Sequence, residues 1–432
     1  MTNDERDQAN SEQGGDLRVD VAIVGGGLAG GSLALALAGA GFRVALVDAT
    51  DPSVMRDAAF DGRTTALAYA TARMFRRLGL WDAIAPSAEP IRDILVTDGA
   101  LESPSRRGGV VDSHLWFDGA ALDGEPYLGW IVENQIIRNA LFDAIEATDA
   151  ITLLAPASAS GTSFDAGAAR ISLKDGRRIF ADLAVAADGK RSALAAAADI
   201  RSHAWGYGQK AIVCSVAHER SHDGVAQEYF LPGGPFAILP MTNSRCSLVW
   251  TERADAADAY IALPDDAFLE AIGARFGVYL GALSLASPRW SFPLGFHFSE
   301  SFVARRLALV GDAARAIHPI AGQGFNLGLK DVAALVDVLT SARGLGRDIG
   351  DLSVLDEYDR WRRFDSAALA FGTDMLNRLF SNDVGPIRAA RRLGLSAVNA
   401  LGPLKRTFMR ESGADLGRLP SLLQPERVSS AP

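Results

Sequence analysis

At 432 residues the chain is too long for one ordinary hydrophobic core, so two domains and an accessory segment are expected. Its 48% hydrophobic and 22% charged residues place it among folded globular proteins, and a formal charge of -9 supplies none of the basic surface that nucleic acid needs. Cys214 and Cys246 stand in separate apolar stretches without metal-ligand spacing, which fits a reduced compartment and excludes a disulfide framework.

In chain order, residues 1–17 open as the polar, acidic MTNDERDQANSEQGGD and read as a disordered tail, with neither a secretory signal nor an organelle presequence. Val21 to Phe42 is uncharged and just long enough to cross a bilayer. Its many glycines and its opening VAIVGGG give a strand, a tight turn and a helix instead. Gly25, Gly27 and Gly30 fit G-x-G-x-x-G: the first permits the turn, the second lets backbone approach a pyrophosphate, and the third lets helix pack on strand. The phosphates then meet unpaired N–H groups at the helix N-terminus. Asp48 ends the second strand, where a carboxylate holds a ribose 2′-hydroxyl and repels a 2′-phosphate. This fingerprint binds a dinucleotide without choosing between NAD and FAD. GLGRDIG at 344–350 has the wrong spacing, follows a helical stretch and reads as a loop.

Residues 204–250 hold two alternating apolar runs around QEYFLPGGPFAILP, which predicts an antiparallel sheet. LALVGD at 307–312 reads as a buried parallel strand delivering Gly311 and Asp312 at its carboxyl end, where doubly wound sheets place ligands. HPIAGQGFNLGLKD then offers Gly322, Gly324 and Asn326 just before a helix through LKDVAALVDVL. Bare N–H groups at a helix start suit an electron-rich ring edge, and a carboxylate suits a polyhydroxyl chain. FAD has the ribityl chain that NAD lacks, so a second site this far from the first points to a flavin. Beyond it, LDEYDRWRRFDSAALAFGTDMLNRLF and the segment to Arg410 read as helices, with Leu376, Leu379 and Phe380 recurring at helical intervals.

Three signatures occur in order: GGGLAG near the start, ADG at Ala187–Gly189, and VGDAA late in the chain. With them come FDGRTTAL at 60–67, LGWIVENQIIRNAL at 128–141, GPFAILP at 234–240, TDMLNRLFSND and RRLGLSAVNALGPLKRTFM. On these stretches the chain, over residues 18–412, resembles the class A FAD-dependent aromatic hydroxylases, built like para-hydroxybenzoate hydroxylase. Within them it is most similar to the ubiquinone-biosynthesis hydroxylases of the UbiH type. The resemblance implies an α/β fold: a Rossmann-type FAD-binding domain (18–92, 125–203 and 291–342) with an inserted antiparallel β-sheet substrate domain (93–124 and 204–290). A C-terminal helical segment (343–418) and a tail (419–432) complete it.

Carried onto this sequence, the resemblance gives Gly25, Gly27, Gly30 and Asp48 the adenosine end and pyrophosphate, and Arg63 a reach to FAD from the following loop. Asn134 or Gln135, opening a helical run, serves either the cofactor or the helix cap. Asp188 and Gly189 belong to the ADG signature, Asp312 binds the ribityl, and Pro319, Gly322 and Gly324 border the isoalloxazine. His318 is a candidate base, although the following proline also suits it to shaping the turn. Ala195 stands where the family carries an arginine, which leaves Lys190 or Arg191 to supply that charge.

The implied reaction is hydroxylation of a polyprenylated phenol in ubiquinone biosynthesis. NAD(P)H reduces FAD, dioxygen is captured at flavin C4a, and its distal oxygen passes to the ring without any metal. Water must be kept out, so Phe230, Phe236, Leu239 and Pro240 are expected as pocket walls or core, with Glu228 and Tyr229 as candidate partners of the phenol. The expected location is cytoplasmic, with peripheral contact at the inner face of the cell membrane and with other ubiquinone-biosynthesis proteins, although no basic amphipathic helix marks such contact. Two alternatives stand: hydroxylation of a small soluble aromatic, whose carboxylate would need an arginine such as Arg245, and a catalytically idle flavin-binding subunit. A flavin halogenase lacks its W-x-W-x-x-I-P signature here.

Overall fold

The computed structural model describes residues 16–57, 61–98, 113–122, 125–380, 405–407, 409–410, 413–415 and 417–425. The expected tail therefore lies outside the described residues, apart from Asp16 and Leu17, which already belong to the first strand. Most of RRLGLSAVNALGPLKRTFM and the side chains of Leu376, Leu379 and Phe380 also lie outside them, although the helix Leu352–Phe380 carries their backbone.

The α/β architecture expected from the sequence is present. Val21, Ala22 and Ile23 have no exposed surface, as a strand covered on both faces requires. This strand, Asp16–Val24, lies at the centre of a parallel sheet. Val44–Val47 and then Ile151–Leu154 extend it on one side. Arg178–Ala186 and then Leu307–Leu309 extend it on the other. The chain leaves the central strand for one flank and later returns on the other, which opens a crevice at the carboxyl ends. Leu28–Gly39 is apolar on all sides because it is buried between the sheet, Asn134–Glu146 and the long helix Gln323–Gly344. The stretch from Val21 to Phe42 is thus strand, turn and helix, and no helix among the described residues is long and apolar enough to cross a membrane.

A second, nine-stranded sheet runs in the order Arg315–Ala316, Trp290–Ser299, Ser202–His218, Arg245–Arg253, Gly234–Met241, Val225–Leu231, Asp93–Asp98 and Ser113–Asp118, with Leu283–Leu285 also pairing to Ser202–His218. At residue 291, where the sequence suggests a return to the first domain, the chain is inside the strand Trp290–Ser299, bonded to Ser202–His218. One face of this sheet is closed by a core of Tyr229, Phe236, Trp250, Phe268 and Phe276. Thr64–Ala68, Gly129–Glu133 and Glu89–Ile91 form a separate three-stranded sheet.

Residues 419–425, expected in a tail, dock instead. Leu423 is wholly buried, Arg73 and Arg77 donate to the carbonyls of Leu423 and Ser421 at 3.0 and 2.6 Å, and Ser421 N–H donates to Asp337 at 2.8 Å. Nothing in LPSLLQP itself signals this docking, because its backbone carbonyls are held by cations far away in sequence.

Candidate functional site

Gly25, Asp48, Asp188 and Asp312 all follow the carboxyl ends of parallel strands at one edge of the first sheet. Gly25 has φ +107°, and a β-carbon there would overlap the carbonyl of Ala187 on the neighbouring strand. A β-carbon on Gly30 would overlap the Gly25 carbonyl, so only glycine lets the helix start this close to the turn. Gly27, at the helix N-cap, is different: nothing lies within 4 Å of where its β-carbon would be. Its bare backbone looks into open space. Asp48 is fixed at the rim, its Oδ2 accepting from Gly26 N–H at 2.6 Å and its Oδ1 from Thr50 N–H at 2.8 Å. Each oxygen keeps a further acceptor position for a hydroxyl.

On the next strand, Gly189 has φ +84°, and Asp188 Oδ2 accepts from Ala193 N–H at 2.9 Å. Asp188 Oδ1 is buried and accepts from no described residue. Ser192 caps the short helix Ala193–Ala197, where Ala195 is buried in the core. The charge of Lys190 reaches the late turn, where it favours the Asp312 carboxylate and disfavours a protonated His297 ring.

The late turn touches the early one. A β-carbon on Gly311, which has φ +60°, would lie 3.3 Å from Ala29 Cβ in the first helix. Asp312 is exposed to the cleft yet enclosed by protein, and this burial pushes its carboxyl above the ordinary range against the pull of Lys190, Arg315 and His297. Pro319 and Gly324 are exposed, and nothing lies within 4 Å of a β-carbon on Gly324. Gly322, in the left-handed region at φ 61°, leaves 3.1 Å between its missing β-carbon and Ala66. His318 is 1% exposed, its Nδ1 accepts from Ile320 N–H at 3.3 Å, and burial lowers its pKa to about 4. At neutral pH it is an uncharged ring shaping the turn.

Asn326 ties this loop to the strand Thr64–Ala68 and the helix after it. Its Oδ1 accepts from Ala68 N–H and Thr71 Oγ1 at 3.1 and 2.9 Å, and its Nδ2 donates to Ala66 and Gly322 carbonyls at 2.9 and 3.3 Å. The amide is spent within the protein, so its part in the site is to place the loop. Asn326→Ala should cost about 3 kcal/mol by stranding buried partners, and urea unfolding checks it. A cost under about 1 kcal/mol would mean that the loop is held otherwise.

Arg63 and Asn134 meet beside the strand Thr64–Ala68, with Asn134 N–H donating to the Arg63 carbonyl at 3.0 Å. Gly62 (φ +81°) lies flat against the Trp290 indole, and Arg63 is exposed and paired with Asp61. Asn134 Oδ1 accepts from Thr65 Oγ1 at 2.6 Å, and Asn134 and Gln135 begin the helix Asn134–Glu146. Arg245, considered above as an anchor for a carboxylate, is paired with Glu133 at 3.0 Å.

Strand alternation divides the expected pocket residues. Tyr229 and Phe236 face the closed core, as does Pro240, two residues beyond Ile238 of that cluster and opposite its Cys246. Tyr229, expected as a partner of the phenol, and Phe236 and Pro240, expected as pocket walls or core, thus lie on the core side, since consecutive strand residues point to opposite faces. Phe230 packs on Ile320 of the late loop and on Val96, while Leu239 packs beside Ala66 and Met241. Glu228, between Ala226 and Phe230, shares their face.

A cluster with no clear signal in the sequence underlies the late turn. Asp331, wholly buried, accepts from Gly311 N–H at 3.1 Å, from Arg315 Nη1, and from Arg362 Nε at 3.0 Å. The only hint is that Asp331 closes HPIAGQGFNLGLKD as a lone acid opening an apolar run.

The residues present suit a flavin dinucleotide. Open space fronts Gly27, Asp188 Oδ1 is an unmet acceptor, Asp312 faces the cleft and Gly324 is bare. A family described as "FAD binding domain" matches residues 18–370. Ubiquinone hydroxylase UbiL of Rhodospirillum rubrum is 45% identical over 397 residues, spanning 92% of this chain and 90% of that protein. The 3-demethoxyubiquinol 3-hydroxylase of Escherichia coli is 36% identical, spanning 90% and 97%. Among solved structures, p-nitrophenol 4-monooxygenase PnpA from Pseudomonas putida has a TM-score of 0.75 at 18% identity, spanning 93% of this chain and 100% of that one. At that identity the likeness concerns the fold.

Proposed function

This chain belongs to the FAD binding domain family, and we propose that it hydroxylates the aromatic ring of a polyprenylated phenol in ubiquinone biosynthesis. The observation that carries this reading is the contact of two remote turns, Gly311 against Ala29, at the carboxyl edge of one parallel sheet. When bound, FAD supplies the redox chemistry, taking two electrons from NAD(P)H and passing one oxygen of dioxygen to the ring while the other leaves as water.

The protein's own residues bind and orient. In this reading Gly25, Gly27 and Gly30 admit the pyrophosphate to the helix start, and Asp48 holds the ribose. Asp312 takes the ribityl hydroxyls, with Lys190 balancing its charge, while Asp188 and Gly189 border the same edge. Pro319, Gly322 and Gly324 present backbone to the flavin ring. Arg63, Asn134 and Gln135 are further candidates for contact with FAD. The FAD-binding part is the parallel sheet with its helices, and the nine-stranded sheet supplies the substrate wall through Phe230 and Leu239, whose apolar face keeps water from the reacting atoms. A phenol with a polyprenyl tail resides in lipid, and this supports a reading in which a cytoplasmic enzyme makes peripheral contact with the inner face of the cell membrane, near other proteins of the same biosynthesis. Arg245, held by Glu133, gives a small aromatic carboxylate no free partner there.

Purified protein carrying FAD, supplied with NADH or NADPH and a short-chain prenylphenol, should form a product heavier by one oxygen atom that derives from labelled dioxygen. Donor consumption that no prenylphenol stimulates, with no hydroxylated product, would overturn the reading.

A further inference from the structure

The strand Val225–Leu231 lies between Gly234–Met241 and Asp93–Asp98, so Glu228 is flanked by Ala237 on one side and Val96 on the other. Its two neighbours on the same face fix where it points. Ala226 packs with Leu115, Phe117 and Met241, and Phe230 packs on Ile320, which follows Pro319 in the flavin-side loop. Glu228 therefore faces the gap between the substrate sheet and that loop. It is half-buried and forms no hydrogen bond or ion pair with a described residue. Tyr229 is turned the opposite way, into the closed core, where its hydroxyl donates to Gln227.

A carboxyl without a partner, on an apolar face beside the redox centre, is costly to keep unless it has a task. We propose that Glu228 is the catalytic residue that accepts the phenolic proton of the substrate while the ring takes up its new oxygen. This rests on the hydroxylase reading above and names the base it lacks. The balance is simple. The phenol O–H bond gives its proton to the Glu228 carboxylate, which puts electron density on the ring carbon that is attacked. The new C–O bond forms, that carbon then loses its hydrogen as a proton, and the phenolic oxygen recovers a proton from Glu228. The O–O bond of dioxygen breaks as that oxygen is transferred and the other oxygen leaves as water, so of the four electrons dioxygen takes up, two come from NAD(P)H and two from the ring.

The surroundings set its proton affinity. Burial pushes Glu228 up to about 8, within about two units of a free phenol, a match suited to proton sharing. Gly234–Met241 carries no ionisable side chain, Asp93–Asp98 carries Asp93 and Asp98 at its two ends, and the late loop carries Asp312, Arg315 and His318. No charged described residue acts on Glu228.

The test is Glu228→Gln, which keeps size and cannot titrate. Wild-type hydroxylation of a short-chain prenylphenol should rise with pH through about 8. The variant should bind FAD normally, lose about 100-fold in product formation at that pH, change little in KM, and show no such rise. A second readout needs no substrate. Because the folded pKa is raised, the stabilising effect of the protonated group is present below the ordinary 4.5 and is lost as pH climbs to about 8. The melting temperature of wild type should accordingly fall relative to Glu228→Gln over that window and run parallel above it. If wild type hydroxylates and the variant matches it at every pH, the role of Glu228 is overturned while the hydroxylase reading stands. If wild type itself forms no product, the hydroxylase reading fails. Should the variant not retain FAD, the bound phenol in wild type decides by its phenolate absorbance: ionisation near 8 supports the proposal, and ionisation near the aqueous value of about 10 overturns it.

Discussion

Gly27→Val protein should come out folded and colourless, whereas Gly30→Ala protein should scarcely fold. The two glycines stand three residues apart in one motif, yet the space around them differs. A β-carbon at position 27 meets nothing of the protein within 4 Å. Its backbone, at φ -66°, suits any residue. The fold loses only what valine costs at an N-cap, about 1 kcal/mol. The same side chain fills the ground before the helix start, where a pyrophosphate must approach within hydrogen-bond reach. FAD affinity should fall at least about 100-fold, some 2.7 kcal/mol, while the melting temperature of the cofactor-free protein stays within a few degrees. At position 30 the clash is with the Gly25 carbonyl, backbone that cannot rotate aside. That substitution should cost about 3 kcal/mol or more before any ligand is added. Flavin absorbance and melts of the stripped proteins separate the two. A Gly27→Val protein as yellow as wild type would remove the pyrophosphate from this turn.

That contrast marks how far the sequence could be read. The parallel core was legible because strands covered on both faces must be apolar throughout, as VAIV, VALV and LAL are. The turns were legible because tight backbone geometry demands glycine within a few residues of the strand end. The pocket face was not. In QEYFLPGGPFAILP aromatic and apolar residues fill consecutive positions, so composition cannot say which alternate set faces the flavin side. Only the core of Trp250, Phe268 and Phe276, supplied from later in the chain, draws Tyr229 and Phe236 to one face and leaves Glu228 on the other. Asn326 was found but its work was not, because its four partners lie near residues 66–71 and 322.

The same blindness to distant partners hid the residue expected to matter most for the late turn. Asp331→Asn should destabilise the protein by about 3–5 kcal/mol, the cost of leaving buried guanidinium groups without their counter-charge. Arg315 is 3% exposed and Arg362 not at all, and Arg362 keeps only Asp365, at 3.1 Å and partly open to solvent. An asparagine oxygen can still accept hydrogen bonds but cannot balance two cations. Urea unfolding should show the loss. FAD binding should weaken by more than the lost stability alone explains, since Asp331 also holds Gly311 N–H and with it the Asp312 turn. A triple variant, Arg315→Met, Asp331→Leu and Arg362→Leu, separates the two roles. It removes the charges together and should regain much of the stability, as apolar replacement of buried ion clusters can. With Gly311 N–H unheld, its flavin affinity should stay low. If the triple variant recovered both stability and affinity, Asp331 would be needed only to neutralise its arginines, and the packing of Gly311 on Ala29 and Gly328 would suffice to aim the turn.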